Sequence, residues 1–282
     1  MKIEKVGVIG CGLMGSGITQ VCAQSGYKVV VSEISDELLQ KGIGSIDNLL
    51  ARSVTKERIT QQDKDAIMGR ITGTTSIDDM SDCNIVIEAA TENLELKKKI
   101  FANIDKICQK DAILATNTSC LSVTDMAEVT KRPDKVLGLH FFNPVPVMKL
   151  LEIVRTALTS EDTYNTGRDF GESLGKTIVT IKDSPGFIVN HLMAPQILNA
   201  IRLLEDGIAT KEDIDTAMTL GLNYPMGPLV LADFIGLDTL LFIANGIHDK
   251  LPEEQYAAPA LLQKMVADGL LGRKSGRGFY EY

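Results

Sequence analysis

Val6–Gly7–Val8–Ile9–Gly10–Cys11–Gly12–Leu13–Met14–Gly15 sets a short apolar run directly before glycines spaced G-x-G-x-x-G. A second apolar run, Tyr27–Ser32, ends in Glu33. Strand, glycine turn, helix, strand and acid in that order are what a dinucleotide-binding βαβ unit requires. Gly10 permits the tight turn, Gly12 lets the backbone approach a pyrophosphate, and Gly15 allows the helix to pack closely on the strand. The helix opening at Leu13 and Met14 offers free N–H groups and a positive dipole end to phosphates. Glu33 is placed to accept hydrogen bonds from ribose hydroxyls. A carboxylate there repels a 2′-phosphate, and Ser32 supplies no cation to offset the repulsion, so NAD is expected over NADP. The competing readings are a flavin dinucleotide, or a turn-forming glycine cluster beside a solvated glutamate.

Outward from this unit, strand-like runs alternate with helical patterns. Strands are predicted at Lys5–Ile9, Lys28–Val31, Ile71–Thr74, Ile85–Glu88, Ile113–Thr116 and Val136–His140, then at Leu150–Val154 and Thr177–Ile181. Helices fit Leu13–Ser25, Asp36–Ser53, Asn93–Cys108 and Asp162–Leu174. Such alternation predicts an α/β fold with a doubly wound, mostly parallel Rossmann-type sheet. The character changes at Asp183–Ser184–Pro185–Gly186, after which only helical periodicity remains. Thr210–Lys211–Glu212–Asp213 resembles a capping box opening a helix that Gly221 ends. The expected division is a dinucleotide-binding domain over 1–184 and an all-helical domain over 185–282. The segment Phe187–Asp206 is apolar on more than one face, and a helix of that kind is buried. A small helical domain has limited core to bury it in, so a homodimer or higher homo-oligomer through this domain is expected.

Composition narrows the function classes. The 282 residues carry a net charge of −8, with 44% hydrophobic and 23% charged residues. An acidic chain is a poor general partner for nucleic acid or a membrane surface. No targeting segment is visible at the start, and the apolar stretch Pro228–Ile247 is interrupted by Asp233 and Asp238, which suits a buried helix pair. Cys11, Cys22, Cys83, Cys108 and Cys120 show no metal-binding spacing. No metal is expected, and an odd number of thiols suggests a reducing, cytoplasmic setting.

Of three histidines, His191 and His248 have no acid in an obvious pairing position. His140 ends an apolar strand, where the carboxyl ends of a doubly wound sheet face the ligand crevice. The next strand carries Glu152 among apolar neighbours, and a carboxylate there needs a partner because burying it alone is costly. An imidazole held by Glu152 would suit proton exchange near neutral pH. Spacing alone leaves open a structural pair, or a glutamate facing solvent at the sheet edge.

Ala115–Thr116–Asn117–Thr118–Ser119 is another strand running into a polar turn. Ser119 offers a hydroxyl and Asn117 an amide, although both also suit a turn capping a helix near Ser122. No Gly-x-Ser-x-Gly marks a nucleophilic serine. Asn190 sits on the apolar helix just after the domain join, where a polar amide must find a partner. That partner is the substrate if the cleft lies between the domains.

The run His140–Phe141–Phe142–Asn143–Pro144–Val145–Pro146–Val147–Met148–Lys149–Leu150–Leu151–Glu152 resembles the signature of the L-3-hydroxyacyl-CoA dehydrogenase family. So do Asn117–Thr118–Ser119, Pro185–Gly186–Phe187–Ile188–Val189–Asn190, Tyr224–Pro225–Met226–Gly227–Pro228 and Gly272–Arg273–Lys274–Ser275–Gly276–Arg277–Gly278–Phe279–Tyr280. The resemblance spans essentially the whole chain and is strongest to the stand-alone bacterial enzymes acting on 3-hydroxybutyryl-CoA. It implies NAD-dependent hydride transfer with an acyl-CoA partner, His140 as catalytic base and Glu152 as its orienter. It also implies that Ser119 and Asn190 bind the substrate oxygen, and that Ser119 touches the cofactor as well. Glu92, Lys97, Asn117, Asn143 and Lys274 would join the glycine turn and Glu33 around NAD. Arg52 and Lys56 would meet the CoA phosphates, on one helix face if the helix continues through Ser53–Thr55. Two positions depart from the family pattern. Glu33 replaces the usual aspartate, and His191 stands where many relatives carry arginine. The rival readings are a dehydrogenase of a free 3-hydroxy or sugar acid, and a dinucleotide-binding protein without turnover.

Overall fold

A computed structural model describes residues 1–282. The chain divides into two compact units, Met1–Asp183 and Ser184–Tyr282. The first runs β1 (Lys5–Ile9), α1 (Leu13–Gln24), β2 (Lys28–Ser32), α2 (Asp36–Thr55), α3 (Gln61–Met68), β3 (Ile71–Thr74), β4 (Ile85–Glu88), α4 (Leu94–Ile107) and β5 (Ile113–Thr116). It continues with α5 (Val123–Ala127), β6 (Val136–Phe141), β7 (Leu150–Arg155), α6 (Glu161–Ser173) and β8 (Thr177–Lys182). All eight strands join one sheet in the order β3-β2-β1-β4-β5-β6-β7-β8. The strand order reverses between β1 and β4, which is where a doubly wound sheet opens its ligand crevice.

Every strand pair is parallel except β6 with β7. The connection 142–149 is too short for a crossover helix, so the chain must turn back antiparallel. This reversal sets His140 directly opposite Glu152. The central strands β4, β5 and β6 are buried throughout, as expected where helices cover both faces. Val6, Val8, Ile85, Ile87, Leu137 and Leu139 carry the core between sheet and helices.

The predicted strands are all present, with β2, β6, β7 and β8 one residue longer at their ends. Helix α3 has no counterpart in the expectation. Its signal was local: Thr60 accepts from the Asp63 N–H while Asp63 accepts from the Thr60 N–H, a capping box built with aspartate. Helix α2 extends through Thr55 and places Arg52 in its last turn.

The second unit is helical: α7 (Val189–Glu205), α8 (Lys211–Gly221), α9 (Pro228–Ile235), α10 (Leu237–His248) and α11 (Ala260–Ala267). Helix α7 starts two residues later than the apolar pattern suggests, because Gly186 and Phe187 both have positive φ. Ala194, Ile197, Leu198 and Ile201 form its buried stripe at helical spacing, while Leu192 stays 66% exposed. Its apolar character all round is therefore not consumed within one chain. Helices α9 and α10 meet at Gly236 (φ +100°) with a bend of 97°, and no single helix is long and apolar enough to cross a membrane.

Candidate active site

The glycine turn is built for close approach. Gly10 has φ +94°, and a Cβ there would sit 2.8 Å from the Ala89 carbonyl oxygen. A Cβ on Gly15 would fall 1.9 Å from the Gly10 carbonyl oxygen, so α1 packs on β1 only with glycine at that position. At Gly12, by contrast, a Cβ would meet nothing within 4 Å. Gly12 is also the N-cap of α1, with no side chain capping the helix and no acid in its first turn. The leading N–H groups, including those of Leu13 and Met14, lack intrahelical acceptors and open to a space an anion can enter. Glu33, at the end of β2, accepts from the Cys11 N–H (2.9 Å) and the Ile34 N–H (2.8 Å). Each carboxylate oxygen keeps a second lone pair for a ribose hydroxyl. These residues fit a dinucleotide: open phosphate donors at one end of the turn, a fixed acid at the other.

Beyond the switch point, the ends of β4 and β5 are cross-linked by a buried polar network. The Lys97 ammonium donates to both Glu88 oxygens (2.7 and 2.9 Å) and to the Ala90 carbonyl (3.2 Å). Glu88 also accepts from the Thr116 hydroxyl (2.7 Å) and the Ala90 N–H (2.7 Å). Lys97 lies 3.3 Å from Glu92, whose other oxygen accepts from the Ser119 N–H (2.7 Å), the Ser119 hydroxyl and the Thr118 hydroxyl (both 3.1 Å). Removing one member of a buried pair such as Glu88–Lys97 strands a charge and costs about 3–5 kcal/mol. Lys97 is 1% exposed, so its ammonium faces this network and its place in the site is internal.

On the next strand pair, His140 Nδ1 lies 2.7 Å from Glu152 Oε2, with Glu152 fully buried and His140 5% exposed. A carboxylate only accepts, so Nδ1–H donates, and Nε2 is the ring nitrogen that exchanges protons. The Phe142 ring packs against the imidazole with centroids 4.5 Å apart. Asn117 joins this pair to the Ser119 turn: its amide oxygen accepts from the Phe141 N–H (2.9 Å), and its own N–H donates to the Glu88 carbonyl (2.7 Å). Asn143 is exposed on the connection that follows.

Arg52 and Lys56 are exposed at the C-terminal end of α2, one turn apart, with the Lys56 N–H donating to the Arg52 carbonyl (3.1 Å). In the second unit, Asn190 is buried in the first turn of α7. His191 Nδ1 lies 3.1 Å from the Pro185 carbonyl oxygen and its Nε2 lies 2.9 Å from the Tyr256 hydroxyl. Lys274 donates to Asp238 (2.6 Å). Glu88 and Thr116 escaped the sequence reading. Glu88 carried a signal like that of Glu152, an acid in an otherwise apolar strand, but the sequence reading places Lys97 at the cofactor and not with Glu88.

Profiles of protein families match nearly the whole chain. Residues 5–184 match the 3-hydroxyacyl-CoA dehydrogenase, NAD binding domain, and residues 186–282 match the 3-hydroxyacyl-CoA dehydrogenase, C-terminal domain. A 3-hydroxybutyryl-CoA dehydrogenase of Clostridioides difficile is 45% identical over 278 residues, covering 99% of each chain. The crystal structure of (S)-3-hydroxybutyryl-CoA dehydrogenase PaaH1 from Ralstonia eutropha superposes with a TM-score of 0.95 at 47% identity, covering 100% of this chain and 99% of that one. FadB2 of M. tuberculosis gives a TM-score of 0.98 at 46% identity, with both chains fully covered. On its sequence in both units, and on its fold, the chain belongs to the 3-hydroxyacyl-CoA dehydrogenase family.

Proposed function

We infer that the protein is an NAD-dependent oxidoreductase interconverting (3S)-hydroxybutyryl-CoA and acetoacetyl-CoA. The observation that carries this reading is the buried His140–Glu152 pair, with His140 near the carboxyl end of β6, in a sheet whose glycine turn fits a dinucleotide. NAD, when bound, supplies or takes up the hydride at C3 of the acyl chain. In oxidation, His140 Nε2 takes the proton of the 3-hydroxyl group as the carbonyl forms. In reduction, the imidazolium returns that proton to the oxygen of the product alcohol. Glu152 holds Nδ1–H throughout and stabilises the charged ring. Ser119, whose hydroxyl donates to Glu92 in this structure, serves as a donor to the reacting oxygen once that hydroxyl turns toward it. Asn190 is assigned to the same oxygen from the sequence resemblance. Glu92, Lys97, Asn117, Asn143 and Lys274 are assigned to the cofactor side, Lys97 through the network it anchors. Glu33 favours NAD over NADP by charge. Arg52 and Lys56 supply paired cations for the CoA phosphates, which a free hydroxy acid has no need of.

The purified protein should oxidise NADH with acetoacetyl-CoA, and do so far more slowly with free acetoacetate or with NADPH. Equal rates with free acetoacetate would favour the free-acid reading, and no NADH oxidation with either would favour a protein without turnover. The exposed apolar residues Leu192 and Leu203 on α7 and Ile208 just beyond it support self-association through the helical unit. A monomeric mass by sedimentation at micromolar concentration would exclude it. Cys11, Cys22, Cys83, Cys108 and Cys120 are all free thiols, which supports a reducing, cytoplasmic location.

A further inference from the structure

Lys176 is a buried cation that the proposed chemistry does not use. It is 8% exposed just before β8, and its ammonium donates to the Val145 carbonyl (2.5 Å) and the Met148 carbonyl (2.7 Å). Burial pushes its pKa down, and its titratable neighbour is the buried thiol of Cys22 on α1. Burying an ammonium without a carboxylate is costly, so filling space does not explain a lysine here. An apolar side chain would fill the same volume more cheaply.

Both of its acceptors lie in the connection 142–149, which joins the strand of His140 to the strand of Glu152. Pro144 and Pro146 have no N–H groups, which limits how this stretch can tie itself down. Its internal bonds run from the Val147 and Met148 N–H groups to the Pro144 carbonyl (2.9 and 3.0 Å). One flank rests on α1: Val145 is 2% exposed, and a Cβ on Gly17 would lie 2.9 Å from the Val145 Cβ. The other flank rests on Lys176. At its start, Phe142 packs on the His140 ring.

We propose that Lys176 is a positioning residue for hydride transfer, pinning the connection 142–149 against α1 so that the imidazole and the cofactor helix keep a fixed separation. The proposal rests on the assignment of His140 and Glu152 as the proton-moving pair. Hydride transfer is steep in geometry, and a shift of about 1 Å costs ~10²-fold in rate.

Lys176→Met keeps the side-chain length and removes both donors, while Lys176→Gln restores an amide donor without charge. Lys176→Met is expected to melt within about 8 °C of wild type and to lose ~10- to 100-fold in kcat with acetoacetyl-CoA. Its NADH affinity, read by fluorescence titration, should weaken. Hydrogen exchange of the Val147 and Met148 amides should accelerate ~10-fold or more, while the β6 and β7 amides stay protected. Lys176→Gln should recover part of each loss. Wild-type turnover, NADH affinity and amide exchange in Lys176→Met would overturn the proposal. So would activity lost in both variants only in proportion to unfolded protein. A wild-type protein inactive on acetoacetyl-CoA sinks the functional reading alone, because the NADH titration and the amide exchange still judge Lys176.

Discussion

His140 and Glu152 face each other across the antiparallel pair of an otherwise parallel sheet, with Nδ1 2.7 Å from Oε2. Twelve residues of sequence separate them, yet the strand reversal at 142–149 makes them directly paired cross-strand neighbours. The pair is rigid because both backbones are locked in the ladder and Glu152 is wholly buried. His140→Ala is therefore expected to lose ~10²–10⁴-fold in kcat with NADH affinity changed by less than about threefold, a difference under 1 kcal/mol. Steady-state assays paired with NADH titration check this. Near-wild-type turnover would remove His140 from the mechanism.

Glu152→Gln keeps the shape but offers an amide where Nδ1–H now meets a carboxylate. The ring loses its orienting charge and can take the other tautomer. Turnover should fall by ~10² or more while the fold survives, measured by kcat beside a thermal melt. A variant as active as wild type would show that the pair serves the fold only.

Ser119→Ala removes a hydroxyl that Glu92 holds while leaving the Ser119 N–H bond to the same oxygen intact. If that hydroxyl steadies the reacting oxygen, kcat should drop by ~10²–10³-fold with little change in melting temperature. A change confined to KM for NADH would move Ser119 to the cofactor alone.

Arg52, in the last turn of α2, and Lys56, just past its end, both lie exposed. Replacing both with alanine should raise KM for acetoacetyl-CoA ~10-fold at low salt and leave kcat and KM for NADH unchanged. The difference from wild type should shrink as ionic strength rises, because the Debye length falls from about 30 Å at 0.01 M to about 10 Å at 0.1 M. A salt-independent effect would exclude a phosphate role for these cations.

The buried thiols predict a pH effect on stability. Desolvation pushes Cys11 and Cys108 up to about 11, against about 8.5 for an exposed thiol. The folded state therefore holds protons that the unfolded state releases. Their contribution is fully present below pH of about 8.5 and is lost as pH rises toward 11. Denaturation midpoints should fall across that window, and a Cys11→Ala variant should fall less steeply. Thiol reagents at pH 8 should label the native protein only as fast as it opens, which a comparison of labelling with and without denaturant measures.

Much of the fold was legible from residue order. The glycine spacing, the apolar runs and the acid at position 33 respond to local rules of turn, period and capping, and the strands appear where those rules put them. Helix α3 was missed because its eight residues bury only Ile67, which leaves no apolar stripe for periodicity to register. Helix α7 begins late because positive φ at Gly186 and Phe187 is a property of the folded join that apolar periodicity does not register.

Sequence alone determined the βαβ unit, the change to helices after Asp183, and the candidacy of His140 and Glu152, because each depends on neighbours within a few residues. Tertiary structure decided which buried charges meet. Lys97 turns inward to Glu88, Asn117 reaches the backbone of Phe141, and Lys176, just before β8, crosses to the carbonyls of Val145 and Met148. Each partner is chosen by strand order and by the need to satisfy a polar group removed from water. That requirement acts across the folded sheet, between residues that spacing along the chain does not connect.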